Sequence, residues 1–92
     1  MFHVVLPPTI SRKLHELIPN NREAVLKVLN RLYDQLENHA NRYRGQRDPE
    51  DPDLFDYVHA IYFEGRWRTF RFSVNDAMAT DRLFIEAVSI SP

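Results

Sequence analysis

The sequence contains no cysteine and no long apolar run, and each absence excludes a class of protein. Without cysteine the chain forms neither a disulfide nor a thiolate metal site. This suits a reducing compartment, and we expect the cytoplasm. The longest apolar stretch is far below the roughly 20 residues that a membrane helix needs, and no basic segment followed by an apolar core opens the chain. We therefore expect a protein that is neither exported nor embedded in a membrane.

Glycine is also scarce, which excludes several classes of enzyme. Only Gly45 and Gly65 are present, so no glycine-rich phosphate loop, dinucleotide-binding fingerprint or nucleophile elbow is formed. None of the four histidines has a second ligand at the spacing of a zinc motif. These residues are His3, His15, His39 and His59. The sequence thus predicts no metal site and no cofactor.

Positive charge is not in excess either. The formal net charge is -1, whereas broad adhesion to nucleic acid requires a surplus of lysine and arginine over the contact face. What the chain does have is the composition of a packed protein, with 43% hydrophobic and 12% aromatic residues among 92. That length and composition predict a single domain, residues 1–92, with a modest core.

The first half of the sequence predicts one strand and two helices. Residues 2–6 (FHVVL) are strand formers that stop at two prolines. Thr9 is a candidate cap for a first helix that ends at Pro19. Asn20, followed three residues later by Glu23, resembles a capping box at the start of a longer second helix. The apolar spacing predicts that this second helix continues through residues 40–43 and closes at the glycine of position 45.

The second half predicts three strands. Residues 42–56 form a loop of arginines followed by acidic residues and prolines, either solvated or acting as a docking or self-masking segment. Residues 55–63 and 67–74 are dense in strand formers and are joined by a tight turn at Glu64-Gly65, which predicts a β-hairpin. A turn over 75–81 precedes a last strand that starts near Leu83.

The predicted order is therefore strand, helix, helix, strand, strand, strand. It indicates an α+β fold in which a helical hairpin packs on one face of a mostly antiparallel four-stranded sheet. In the third strand, alternation places Phe70, Phe72 and Val74 on the face toward the helices. The opposite face then carries Trp67, Thr69, Arg71 and Ser73.

A group of cations and aromatics on the predicted hairpin is the one set with a chemical mechanism. It comprises Arg66, Trp67, Arg68 and Arg71 on the third strand, with Tyr57, His59 and Tyr62 on the second. Guanidinium groups hold phosphates and aromatic rings stack on bases, and histidine titrates in the range that proton transfer needs. The same pattern also fits a solvated sheet face, with arginines paired across strands to Glu64 or Glu86, a partly buried tryptophan and a hydrogen-bonded core histidine.

This element order, with the segment GRWRTFRFSV (65–74), an acidic turn and an apolar final strand, resembles the RelE/ParE superfamily of bacterial toxins. The resemblance spans nearly the whole chain. It implies a small cytoplasmic protein paired with an antitoxin, whose active relatives either cleave mRNA on the ribosome or poison DNA gyrase. Arg68, which follows Trp67, is similar to the arginine that stabilises the scissile phosphate in the ribonuclease members.

Two features depart from the family pattern. The ribonucleases typically carry a further arginine on the second strand and a basic or tyrosine-containing end to the last strand. Here those segments read YVHAIYF (57–63) and SISP (89–92). Metal-free RNA cleavage requires a base for the 2′-hydroxyl, a cation for the phosphate and an acid for the leaving oxygen. We therefore expect Arg66, Arg71 and either His59 or Tyr62 to act with Arg68. The rings of residues 57 and 67 would then bind RNA.

Three functions follow as alternatives. The first is a translation-dependent mRNA endoribonuclease that inhibits growth, with an antitoxin, the ribosome and mRNA as partners. The second is a catalytically inactive protein-interaction module on the same scaffold, favoured by the missing basic residues. The third is a gyrase-directed inhibitor. An antitoxin would lay an amphipathic helix or an added strand on the helical hairpin and the sheet edge. The second helix around Tyr33, Ala40 and Tyr43 is a candidate surface for a homodimer.

Overall fold

The computed structural model describes residues 2–45, 47–77 and 81–91. Its elements, in chain order, are β1 (His3–Val5), α1 (Pro8–Leu17), α2 (Arg22–His39), a 3-10 turn (Ala40–Arg42), β2 (Leu54–Phe63), β3 (Arg66–Asn75) and β4 (Arg82–Ser91). The predicted α+β class and element order are confirmed. Positions 78–80 of the predicted turn before β4, and the last residue of the SISP segment, lie outside the described residues.

The four strands form one sheet in the order β1-β4-β3-β2. β2 pairs antiparallel with β3, and β3 with β4, as neighbours joined by short connections do. β1 instead runs parallel to β4, with His3 opposite Arg82 and Val5 opposite Phe84. The sheet is therefore mixed. No short turn fixes the direction of β1, since both helices and the β2-β3 hairpin separate it from β4.

The ends of the helices differ from the predicted ends by a few residues. α1 begins at Pro8, whose fixed backbone angle suits the first turn of a helix. Asn21, rather than Asn20, caps α2, and its side-chain oxygen accepts a hydrogen bond from the backbone N–H of Ala24 at 3.1 Å. α2 ends at His39 and gives way to the 3-10 turn, so the predicted extension as an α-helix to the glycine of position 45 is wrong.

The sheet has a buried face and an exposed face. We call the buried one the inner face; it carries Phe55, Tyr57, His59, Ile61, Phe63, Phe70, Phe72 and Val74. These side chains share one core with apolar residues of both helices, among them Ile10, Leu14, Val28, Leu32 and Leu36. The prediction that the phenylalanines of β3 face the helices is confirmed. The opposite, outer face shows Val58, Tyr62 and Trp67 to solvent.

An ion cluster ties the segment before β2 to the end of β3. Arg44 donates to the carboxylate of Asp76 at 2.8 Å, and Arg47 donates to both of its oxygens at 2.7 and 2.8 Å. The hydrogen bonds from Arg47 lead in holding the pKa of Asp76 below its usual value, against the opposing effect of burial. These arginines therefore pair with Asp76 rather than with the acidic run beside them.

We expect Asp76→Asn to lower the free energy of unfolding by about 1 kcal/mol, since both arginines are partly exposed and solvent screens their charges. The loss will be smaller in high salt. Urea unfolding at two salt concentrations measures it. The control is Asp53→Asn, which removes an exposed carboxylate that acts on Arg47 only at a distance. Equal losses in the two variants would contradict the assignment.

Candidate functional site at the hairpin end of the sheet

Strand alternation divides the predicted RNA-contacting residues between the two faces of the sheet. Tyr57 and His59 lie opposite Phe72 and Phe70 on the inner face, and Arg68 lies there opposite Ile61. On the outer face, Tyr62 lies opposite Trp67 and Arg71 opposite Val58. Side chains an odd number of residues apart in a strand point in opposite directions. The predicted set therefore does not converge on one phosphate group, which corrects the expectation of a single site.

Tyr57 is part of the core. Its side chain is 0% exposed, its hydroxyl donates to the carbonyl oxygen of Arg31 at 3.4 Å, and its ring meets the edge of Tyr43 at 4.7 Å. Burial raises the pKa of its hydroxyl. This burial removes Tyr57 from the predicted RNA-binding surface.

His59 is enclosed by aromatic rings. Its imidazole lies 4.9 Å from the ring of Tyr57, 5.8 Å from Phe70 and 6.1 Å from Phe72, between ring centres. The side chain is only 9% exposed, and neither ring nitrogen has a hydrogen-bond partner among the described residues. Burial, assisted by the charge of Arg31, lowers its pKa to about 4. A neutral, enclosed imidazole does not reach a substrate, so the structure does not support His59 as an acid or base.

The outer face keeps its predicted aromatics accessible. Trp67 is 66% exposed and Tyr62 49%, and their rings meet edge to face at 5.5 Å. Arg71 extends over the same face and lies 3.5 Å from the carboxylate of Asp56 on β2. Arg71 is thus a cross-strand ion-pair partner, although with a different carboxylate from those considered in the sequence.

Arg68 occupies a distinct position on the inner face. Its guanidinium lies over the ring of Phe63 at 4.9 Å from the ring centre. Its Nε is buried and has no hydrogen-bond partner among the described residues. Within residues 2–45, 47–77 and 81–91, no carboxylate lies at ion-pair distance from it. The guanidinium therefore packs on a ring rather than extending into an open hollow, and its charge is not neutralised by these residues.

Arg66 adds a second cation at the same end of the hairpin. It lies opposite Phe63 across the turn and is exposed. The turn itself is the predicted tight one, because Glu64 and Gly65 both have positive φ, at 53° and 82°. We call the group Phe63, Arg66 and Arg68 the hairpin-end site.

A shallow cleft of about 220 Å³ borders this site. It is lined by Asn21, Glu23, Ala24, Lys27, Phe63 and Glu64. The two carboxylates are potential proton acceptors that the sequence did not suggest, because Glu23 was interpreted as a helix cap and Glu64 as a turn residue. Only the approach of the α2 N-terminus to the hairpin turn brings them together, and no local sequence pattern encodes that approach.

The geometry places a guanidinium that no described carboxylate pairs with near a cleft lined by two carboxylates and one lysine. No protein-family model, curated protein or solved structure matches this chain. Among the described residues, no group of histidine, aspartate and glutamate side chains is arranged to hold a metal ion. Neither described helix combines the length and the apolar character needed to cross a bilayer. What bears on function is therefore the arrangement of the chain's own side chains.

Proposed function

We propose that this chain is a RelE/ParE-like toxin that stops growth by cleaving mRNA on the translating ribosome, with Arg68 contacting the scissile phosphate. The observation that carries the proposal is the guanidinium of Arg68, which is partly buried, held by Phe63 and unpaired within the described residues. The strand, helix, helix and three-strand order supports it. In cells the protein would act in the cytoplasm, restrained by an antitoxin.

The proposed chemistry needs no metal ion. A base removes the proton of the ribose 2′-hydroxyl, the oxygen attacks phosphorus, and the 5′-oxygen of the next nucleotide leaves with a proton from an acid. The products are a 2′,3′-cyclic phosphate and a 5′-hydroxyl. Arg68 would stabilise the added charge on the phosphate, and a cation in a partly desolvated position does so more strongly than one in water. Its ring contact with Phe63 would hold the guanidinium plane in place.

Residues near Arg68 would supply the second phosphate contact and the general base. Arg66, exposed at the same end of the hairpin, would bind a neighbouring phosphate. Glu64 or Glu23, in the bordering cleft, would serve as the base in place of His59. Because the net charge is only -1, binding to the ribosome would rely on this local cation pair, and its dependence on salt would be shallow.

Controlled induction of the chain in a bacterium tests this proposal. We expect growth and amino-acid incorporation to stop together, while plasmid supercoiling is unchanged at early times. Loss of supercoiling before translation falls would favour the gyrase-directed alternative. Undisturbed growth with confirmed accumulation of the folded protein would contradict a toxin of either kind.

A second function, a non-catalytic interaction module, is favoured by a different observation. The one histidine expected to move a proton, His59, is enclosed in the core, and the predicted catalytic set lies on both faces of the sheet. Such a module would hold a stable protein partner without affecting growth. Co-purification from the native host, followed by induction of the chain without that partner, distinguishes the module from the toxin.

A further inference from the structure

Among the described residues, no named strand pairs with the edge of β2 that faces away from β3. In a hairpin with a two-residue turn, the residues flanking the turn form a hydrogen-bonded pair, and the next pair along does not. Tyr62 therefore directs its backbone N–H and C=O away from β3, and so do Ala60, Val58, Asp56 and Leu54. Two contacts agree with this direction. The carbonyl oxygen of Leu54 accepts a hydrogen bond from the N–H of Asp48 at 3.0 Å, and that of Tyr62 lies 3.5 Å from the amino group of Lys27.

Arg47 pairs with Phe55 in an isolated antiparallel bridge, so the open stretch of this edge runs over residues 57–61. Val58 is 37% exposed and Ala60 is exposed. In the part of the chain that the structure describes, no hydrogen bond reaches the outward backbone groups of either residue. An uncovered strand edge of this kind is a template for pairing with another strand.

A polar stripe of α2 runs beside this edge. A groove of about 470 Å³ separates the two and is lined by Lys27, Asn30, Arg31, Asp34, Ala60, Ile61, Tyr62 and Trp67. The four α2 residues are spaced three, one and three apart, so they share one helix face. α2 runs opposite to β2, since Lys27 contacts Tyr62 at one end and Arg31 contacts Tyr57 further along.

We propose that this edge binds a second copy of the chain, with the two β2 strands antiparallel about a two-fold axis at Ala60. In that arrangement the outward N–H and C=O of Val58 form hydrogen bonds with those of the partner's Tyr62. The two-fold axis repeats these bonds between Tyr62 and the partner's Val58. The small side chain at the axis lets the strands approach. Two four-stranded sheets then become one continuous sheet, with the two α2 helices side by side on the same face.

The charges of the stripe favour a second copy over an unrelated strand. About the same axis, Lys27 faces the partner's Asp34 and Asn30 faces the partner's Arg31, so no like charges are opposed. The amino group of Lys27 reaches this edge from α2, and a charged group there discourages indiscriminate strand pairing. The carboxylate of the second copy neutralises that lysine, so the edge is selective for itself.

The self-association surface predicted from the sequence consists of side chains that pack at least partly within one copy. Ala40 is 2% exposed. Tyr43 packs its ring against Tyr57 and donates its hydroxyl to Gln35 at 3.0 Å. Tyr33 packs partly buried against the core. These side chains thus contribute to the interior of one copy, and self-association through this end of α2 stays a prediction beside the β2 edge.

Sedimentation equilibrium of the full chain tests the interface. We expect the native chain to be a dimer and Lys27→Glu, which opposes two carboxylates across the axis, to weaken the dimer at least about tenfold. The double variant Lys27→Glu/Asp34→Lys exchanges the charges and is expected to restore the dimer. Lys13→Glu, an exposed charge reversal on α1, is the matched control and should leave the dimer unchanged.

A native chain that is monomeric at high micromolar concentration would overturn the proposal. A dimer that Lys27→Glu does not weaken, or that the charge exchange does not restore, would also overturn it. Circular dichroism of each variant would show whether it is folded. Ala60→Pro gives a second test, because it blocks the outward N–H at the axis without removing a hydrogen bond to β3. It should give a folded monomer.

Discussion

We expect His59 to lower the free energy of unfolding of the native chain by about 3 kcal/mol between pH 7 and pH 4, and His59→Phe to remove that contribution. In the folded protein the pKa of His59 is lowered to about 4, from 6.5 for the exposed side chain. Between these values the unfolded chain binds a proton that the folded chain does not. Stability is therefore complete above pH 6.5 and falls as the pH falls toward 4, at about 1.4 kcal/mol for each unit of difference in pKa.

Phenylalanine suits this position because the neighbours of His59 are rings. It keeps a planar side chain against Tyr57, Phe70 and Phe72 and removes the titrating nitrogens. Urea unfolding at a series of pH values measures the effect. His15→Gln, at an exposed histidine of α1, is the control and should preserve the native pH dependence. A His59→Phe chain that loses as much stability as the native chain would refute the burial assigned to the imidazole. Protonation of Asp76 does not obscure this result. Its pKa in the folded protein is lowered from 3.8, so its contribution to stability is lost only below that pH.

Arg68→Ala is expected to lower the rate of mRNA cleavage on translating ribosomes by about 10² to 10³, the usual cost of losing one group that stabilises transition-state charge. Arg68→Lys should recover only part of this rate, since an ammonium group keeps the charge but not the planar fork that grips two phosphate oxygens. Single-turnover cleavage assays with purified ribosomes give both rates directly.

The structure supplies a matched control for that experiment in Arg71→Ala. Arg71 is the same residue type on the same strand, but it projects from the outer face and pairs with Asp56. Its removal is expected to change the rate by less than about threefold, in line with the small contribution of an exposed ion pair. Cleavage that depends on Arg71 and tolerates Arg68→Ala would move the site to the outer face. Thermal unfolding of each variant separates lost chemistry from lost folding, since Arg68 also packs on Phe63.

Local patterning predicted the elements and the buried face of β3 because those properties depend on near neighbours in sequence. The period of two in β3 distinguished Phe70 and Phe72 from the solvent-facing residues, and the turn at Glu64-Gly65 set the hairpin register. β2 was ambiguous, since both of its faces carry apolar side chains and only packing against α2 shows which is buried. The position of His59 could not be assigned for the same reason.

The candidate site was harder to predict from the sequence than the helices and strands. Arg68 and Arg71 are three residues apart, so strand alternation alone already places them on opposite faces. Grouping the two cations by their proximity along the chain neglects this alternation, although the sequence alone contains it. The cleft carboxylates Glu23 and Glu64, by contrast, are far apart in sequence and meet only through the tertiary packing of α2 against the hairpin.

On the proposed function, the hairpin end of the inner face, through Arg68, acts on RNA during translation. Mapping mRNA 5′ ends in cells induced for the native chain, for Arg68→Ala and for Arg71→Ala tests it most directly. We predict new 5′-hydroxyl ends within translated regions for the native chain and for Arg71→Ala, and their absence for Arg68→Ala. No new ends with the native chain, or the same ends with Arg68→Ala, would contradict the claim.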